Sequence, residues 1–201
     1  HSLMILRHGK VIAEGWWRPY RPEFNHGMYS MSKSFTSTAV GLAVDEKRLT
    51  VNDRVISFFP RDLPDDVSDH LKMMTVKHLL TMSDGQKAGS TGKAIASDDW
   101  VKNFLAQPLP NQPGTVFSYN SASTYMLSAI VQKLTGQTVL DYLKPRLFEP
   151  LGIEGPYWET CPKGINTGGW GLHIRTEGLA HLGQLYLQKG LWNGRRILPA
   201  A

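Results

Sequence analysis

Residues 34–44 form an uncharged run, Ser34-Phe35-Thr36-Ser37-Thr38-Ala39-Val40-Gly41-Leu42-Ala43-Val44, closed by Lys33 on one side and Asp45 on the other. Met31, Phe35, Ala39 and Leu42 fall at i, i+4, i+8 and i+11, close to one face of a helix. A surface helix carries Lys and Glu on its remaining faces. This one carries Ser, Thr, Ala and Gly there, so it is expected to be buried nearly all round. The rest of the chain has to supply its cover.

At the start of that helix stand Ser30 and Lys33, three residues apart and therefore on the same side. Desolvation disfavours a charged ammonium, so an amine on a buried helix is a candidate proton acceptor for the neighbouring hydroxyl. Backbone N–H groups of the first turn would lie close to Ser30 and suit a developing oxyanion. The spacing alone is weak. With 14 serines and 12 lysines, chance supplies about one Ser-x-x-Lys, and the chain has two. The second, Ser90-Thr91-Gly92-Lys93, sits among Gly85, Gly89 and Gly92 and opens no apolar helix, so it reads as an exposed loop. The bland alternative for Ser30 and Lys33 is a helix cap and a lysine whose amine snorkels to water.

Composition excludes several classes. At 201 residues and 41% hydrophobic, the chain can bury one sizeable core or two small ones. No apolar run approaches the length of a membrane helix, and the first residues lack the charged start and apolar stretch of a signal peptide. The single cysteine, Cys161, excludes an internal disulfide and a cysteine metal cluster and leaves the compartment open. The seven histidines show no His-x-x-x-His spacing, so no metal or other cofactor is expected. A net charge of +5 comes from basic residues spread along the chain, with only Arg195-Arg196 as a tight pair, which speaks against nucleic acid. A Gly-x-Ser-x-Gly elbow is missing, which argues against an α/β-hydrolase triad.

In order, residues 3–6 and 11–13 around His8-Gly9-Lys10 predict a β-hairpin. Trp16, Trp17, Pro19, Tyr20 and Pro22 predict a loop, its tryptophans covering core or lining a cleft. After the Ser30 helix, residues 52–60 are turn-rich, and Asp62, Asp65, Asp66 and Asp69 mark an exposed loop. Thr75 is a candidate N-cap for a helix over 76–82, and residues 86–97, polar and glycine-rich, are the expected mobile loop. Further helices are expected over 100–105, over 123–134 with Gly136 as C-cap, from Thr138, and from Thr176 to Gly190. A lone hairpin is marginal in water, and several of these helices need a sheet to pack on. Further strands are therefore expected beyond residue 201, with the chain part of a longer protein.

Tyr29-Ser30-Met31-Ser32-Lys33-Ser34-Phe35-Thr36, the block Thr75-Val76-Lys77-His78-Leu79-Leu80-Thr81-Met82-Ser83-Asp84-Gly85, and Pro113-Gly114-Thr115-Val116-Phe117-Ser118-Tyr119-Asn120-Ser121 occur in that order. Together with Gly168-Gly169-Trp170-Gly171-Leu172 and Asn193-Gly194-Arg195-Arg196-Ile197-Leu198, they resemble the serine β-lactamase and penicillin-binding-protein superfamily. The nearest branch is the class C β-lactamase-like one, with its esterases, D-amino-acid peptidases and 6-aminohexanoate-dimer hydrolases. The resemblance implies an α+β fold of the β-lactamase/transpeptidase type: an antiparallel sheet with flanking helices, incomplete in this chain, and an all-helical lobe. Residues 1–50 would belong to the α/β lobe, 51–165 to the helical lobe, and 166–201 would return to the first. It implies an active-serine hydrolase of a small-molecule ester or amide, a β-lactam among the options, without a cofactor. Ser30 would be the nucleophile, Lys33 the group that takes its proton, and Tyr119 a second proton-transfer group, which without the resemblance reads as a core aromatic. Ser121, Asn120 and Trp170 would bind substrate.

Two departures qualify that reading. Where the class C pattern has Asn two residues after the tyrosine, this chain has Ser121, with Asn120 one position early, which weakens a β-lactamase more than an esterase or amidase. The third motif, a Lys-Thr-Gly on a sheet strand that supplies the second oxyanion donor, is absent; Lys133-Leu134-Thr135-Gly136 is interrupted and ends a helix. One such donor is worth about 3 kcal/mol, so the chain alone could be inactive. The competing expectation is a non-catalytic or acylation-only binding and sensing domain of the same fold.

Overall fold

The computed structural model describes residues 1–200. Strands β1 (Ser2–Arg7) and β2 (Lys10–Trp16) form the expected antiparallel hairpin. Its two-residue turn, His8-Gly9, has positive φ at both positions (52° and 74°), the backbone whose twist matches that of the strands it joins. Ile5 pairs with Ala13 and Leu6 with Val11, so Ile12 is an extra, bulged residue on β2. Strand β3 (His26–Gly27) leads into a 3₁₀ turn, Tyr29–Met31, and then helix α1 (Ser32–Asp45).

Short helices follow: α2 (Val55–Phe58), α3 (Asp69–Met73), α4 (Val76–Leu80), α5 (Ser90–Ala94) and α6 (Trp100–Leu105). In α4 the Thr75 N–H donates to His78 Nδ1 at 3.1 Å, one half of a reciprocal cap. The long helix α7 (Ser121–Thr135) starts two residues earlier than its apolar spacing predicts. Asn120 caps it, its side chain accepting from the Ala122 N–H at 3.1 Å, and Gly136 ends it at φ 70°. Helix α8 (Val139–Leu143) runs into a π-helical turn, Lys144–Phe148. Strands β4 (Tyr157–Trp158) and β5 (Leu172–Ile174) complete a three-stranded antiparallel sheet in the order β3-β5-β4. Helix α9 (Thr176–Leu187) packs on β1, and a small hairpin of β6 (Leu191–Trp192) and β7 (Arg195–Arg196) follows.

A continuous buried cluster runs from Phe35 of α1 through α7 and α8 to Leu185 of α9. Phe35 and Phe148 are both fully buried, with ring centroids 5.8 Å apart. The fold is mixed α and β with an incomplete antiparallel sheet: among the described residues the largest sheet has three strands. Lys133-Leu134-Thr135-Gly136 ends a helix, with Lys133 in the last turn of α7 and Gly136 as its cap.

Four expectations are corrected. Residues 86–97 are not a loop throughout: α5 lies inside them, with Gln86, Ser90 and Ala94 buried, because Thr91 is hydrogen-bonded to the start of α7. Ser90 is therefore no exposed loop serine; its hydroxyl donates to the Lys87 carbonyl at 2.6 Å. Thr176 is the first residue of α9 rather than its cap, and its hydroxyl meets Ser2 Oγ at 2.8 Å. Finally, α1 is not covered all round. Gly41 is exposed, and Ser37, Gly41 and Val44 open into a groove of about 530 Å³ with Leu80, Tyr186 and Leu198.

Phe35→Ala removes a ring from the middle of the core and is expected to cost about 3–5 kcal/mol. Chemical denaturation should show this as a lowered midpoint with an unchanged slope.

Candidate active site

Strand β5 and the glycine loop before it hold the start of α1 in place. The Met28 N–H donates to the Leu172 carbonyl at 2.7 Å, and the Leu172 N–H donates to Ser32 Oγ at 3.2 Å. One turn further on, the Thr36 hydroxyl donates to the Gly168 carbonyl at 2.9 Å and Lys33 Nζ to the Gly169 carbonyl at 2.6 Å. Glycine is required at both positions. A Cβ at Gly168 (φ 66°) would stand 2.7 Å from the Thr124 carbonyl oxygen, and one at Gly169 would stand 2.7 Å from that of Ser121. With no side chain there, the loop slides between α1 and α7.

Ser30, on the 3₁₀ turn, is exposed, and Tyr29 before it has φ 45°, a left-handed conformation that costs a non-glycine residue about 1–2 kcal/mol. Lys33 Nζ donates to Ser30 Oγ at 3.3 Å, and the Tyr119 hydroxyl donates to the same oxygen at 2.8 Å. Nζ also lies 5.0 Å from the centre of the Tyr119 ring. A near neighbour in sequence and a residue 89 positions away thus meet on one hydroxyl. Tyr119 precedes the cap of α7 and is 53% exposed, so the triad opens to solvent on the phenol side.

The Tyr119 phenol is held below its ordinary pKa. The hydrogen bond with Ser30 is the largest cause; the hydrogen bond and charge of Lys33 and the Ser121 hydroxyl act the same way, against an opposing effect of burial. Ser121, the first residue of α7 and two positions after Tyr119, is close enough to favour the ionised phenol. Trp170 follows the Gly169 carbonyl that Lys33 holds, and its indole stacks on Trp100 with centroids 5.9 Å apart.

Asn120 is not brought to the site. It is fully buried; its amide donates to Asp84 and Gln86, and its oxygen accepts from Thr91 and from the Ala122 N–H. Contrary to expectation it is not a substrate-binding residue, since a side chain that caps a helix inside a buried network presents nothing to a ligand. The sequence reading missed the carbonyl of Gly169 and the Asp84 network. The paired glycines were a usable signal for the first, because adjacent glycines between two packed helices mark close backbone approach. Asp84 sits in a Ser83-Asp84-Gly85 stretch that reads only as a helix stop.

Residues 1–185 match the family described as Beta-lactamase. The chain belongs to that family. It is similar to the 6-aminohexanoate-dimer hydrolase of Paenarthrobacter ureafaciens, 25% identical over 213 residues that cover 98% of this chain and 54% of that protein. It is also similar to penicillin-binding protein 4 of Amycolatopsis lactamdurans, 27% identical over 207 residues, covering 86% of this chain and 53% of that one. In structure it is similar to the octameric penicillin-binding protein homologue from Pyrococcus abyssi, with a TM-score of 0.79 and 22% identity over 99% of this chain and 54% of that chain. The chain thus spans about half the length of these relatives.

Because its pKa is lowered, the Tyr119 phenolate forms at lower pH than that of a free tyrosine, and its fraction grows as pH rises through the lowered value. Ser30→Ala removes the largest contribution and Lys33→Met the next, so each is expected to move the titration upward. Phenolate absorbance, taken as a difference from Tyr119→Phe, reads this directly. An unmoved titration in both variants would mean that these contacts do not tune the phenol.

Proposed function

We propose that the protein is a serine hydrolase that cleaves an ester or amide of a small molecule through an acyl-enzyme at Ser30. One observation carries the reading: Ser30 Oγ has both Lys33 Nζ and the Tyr119 hydroxyl within hydrogen-bond reach. With the phenol ionised, the Tyr119 contact reverses, and the serine hydroxyl donates to the phenolate. Ser30 Oγ then attacks the substrate carbonyl carbon, and its proton passes to Tyr119, with Lys33 holding the anionic form. The same proton goes on to the departing alcohol or amine. Water attacks the acyl carbonyl with Tyr119 as base, releasing the acid and restoring the Ser30 O–H. The Ser30 N–H, second in the 3₁₀ turn and so ahead of its first i→i+3 bond, from the Met31 N–H to the Met28 carbonyl, is one donor for the oxyanion.

Substrate contacts are assigned to Ser121 and Trp170. Ser121 opens α7 two residues after Tyr119, on the side of the phenol, while Trp170 offers the edge of an aromatic stack. The names of the relatives, a 6-aminohexanoate-dimer hydrolase and a penicillin-binding protein, fit an acyl substrate and leave its leaving group open.

Intact mass after incubation with a fluorophosphonate, and separately with a penicillin, tests the reading. A covalent adduct on the parent protein that is lost in Ser30→Ala is expected, and the reagent that labels narrows the substrate class. A folded parent protein that neither reagent labels would favour a non-catalytic binding domain.

A further inference from the structure

Asp84 is fully buried, and hydrogen bonds from neutral donors hold its carboxylate. Oδ1 accepts from the Gln86 N–H at 2.8 Å; Oδ2 accepts from Asn120 Nδ2 at 3.2 Å and from the Ser123 hydroxyl. Among the described residues it forms no ion pair. An acidic group is costly to bury without a cation, and it persists only where every lone pair that matters is matched. The mechanism above does not use this residue.

Two of its three partners lie just after Tyr119 in the chain. Asn120 follows Tyr119 directly, and Ser123 lies in the first turn of α7. On the other side, the Ser118 N–H donates to the Met82 carbonyl at 2.8 Å, and the Gly114 N–H donates to the Ser83 carbonyl at 2.7 Å. The turn that carries Asp84 therefore grips the chain immediately before and immediately after Tyr119. Thr91 adds a brace: its hydroxyl donates to Asn120 Oδ1 and accepts from the Ser121 N–H.

We infer that Asp84 is a positioning residue for Tyr119: by fixing Asn120 and Ser123 it sets where the chain leaves for α7, and so where the phenol meets Ser30. The inference rests on the reading of Ser30, Lys33 and Tyr119 as a reacting unit. A carboxylate suits the role because its oxygens accept from all three donors. An amide would turn its own NH₂ toward either the Gln86 N–H or the Asn120 amide. Reorienting Asn120 to compensate would break its bonds to Thr91 and to the Ala122 N–H.

The test compares Asp84→Asn with the parent protein and takes Asn120→Ser as a second variant, which keeps a capping hydroxyl and loses the amide that Asp84 holds. NMR of protein carrying isotope-labelled tyrosine, with the Tyr119 signal assigned by Tyr119→Phe, follows the phenol through its titration. In both variants the Tyr119 titration is expected to move up, as the phenol loses its contacts with Ser30 and Lys33. Labelling of Ser30 by a fluorophosphonate should slow by about 10- to 100-fold, the scale of a misplacement near 1 Å. A titration that stays in place in folded variants would make Asp84 merely structural and overturn the inference. A downward shift would also overturn it, because that is what removing a nearby negative charge without movement does. The titration needs no turnover, so a parent protein that is never labelled would defeat the hydrolase reading while the role of Asp84 is still decided.

Discussion

The contact on which the structure depends is the passage of Gly168 and Gly169 between α1 and α7. Two helices carry the reacting groups, Ser30 and Lys33 at the head of one and Tyr119 just before the other; α1 is hydrogen-bonded to this loop, and α7 leaves no room for a Cβ on it. The loop gives its carbonyls to Thr36 and Lys33, so it aims the lysine while it spaces the helices. Side chains of any size here would part α1 from α7 and separate the lysine from the phenol together. Packing and chemistry share the same two residues.

Electrostatically the site is a small closed set. One cation, one phenol and two hydroxyls face each other, and the phenol is the group whose ionisation the others favour. Lys33 has a fixed partner in the Gly169 carbonyl, which keeps Nζ between Ser30 and the Tyr119 ring. Because the carbonyl cannot be protonated, it orients the ammonium without competing for the serine proton.

What could be read from sequence was what periodicity and caps encode. The hairpin around His8-Gly9, α1, α7 with its Gly136 stop, and the pairing of Ser30 with Lys33 all follow from local spacing, and each is found. Tyr119 came from the order of motifs, since nothing local marks an exposed tyrosine before a helix. Strands β3, β4 and β5 were missed, for strands of two or three residues have no measurable alternation. Asn120 was misplaced because a cap and a substrate ligand look alike in sequence: both are polar residues at a helix start, and only burial separates them. The helix α5 was hidden by its glycines, and its order comes from Thr91, a tertiary contact.

Ser30 lies on a 3₁₀ turn and Lys33 on the α-helix that continues it. In an α-helix, side chains three residues apart differ by about 60° around the axis, whereas in a 3₁₀ turn they eclipse. The tighter winding at this junction brings the serine hydroxyl closer to the azimuth of the lysine than the same interval on a uniform α-helix would. The three-residue interval in the motif acts as a ruler whose reading depends on the local pitch, so a change that regularised this turn into α-helix would misalign the pair without altering either residue.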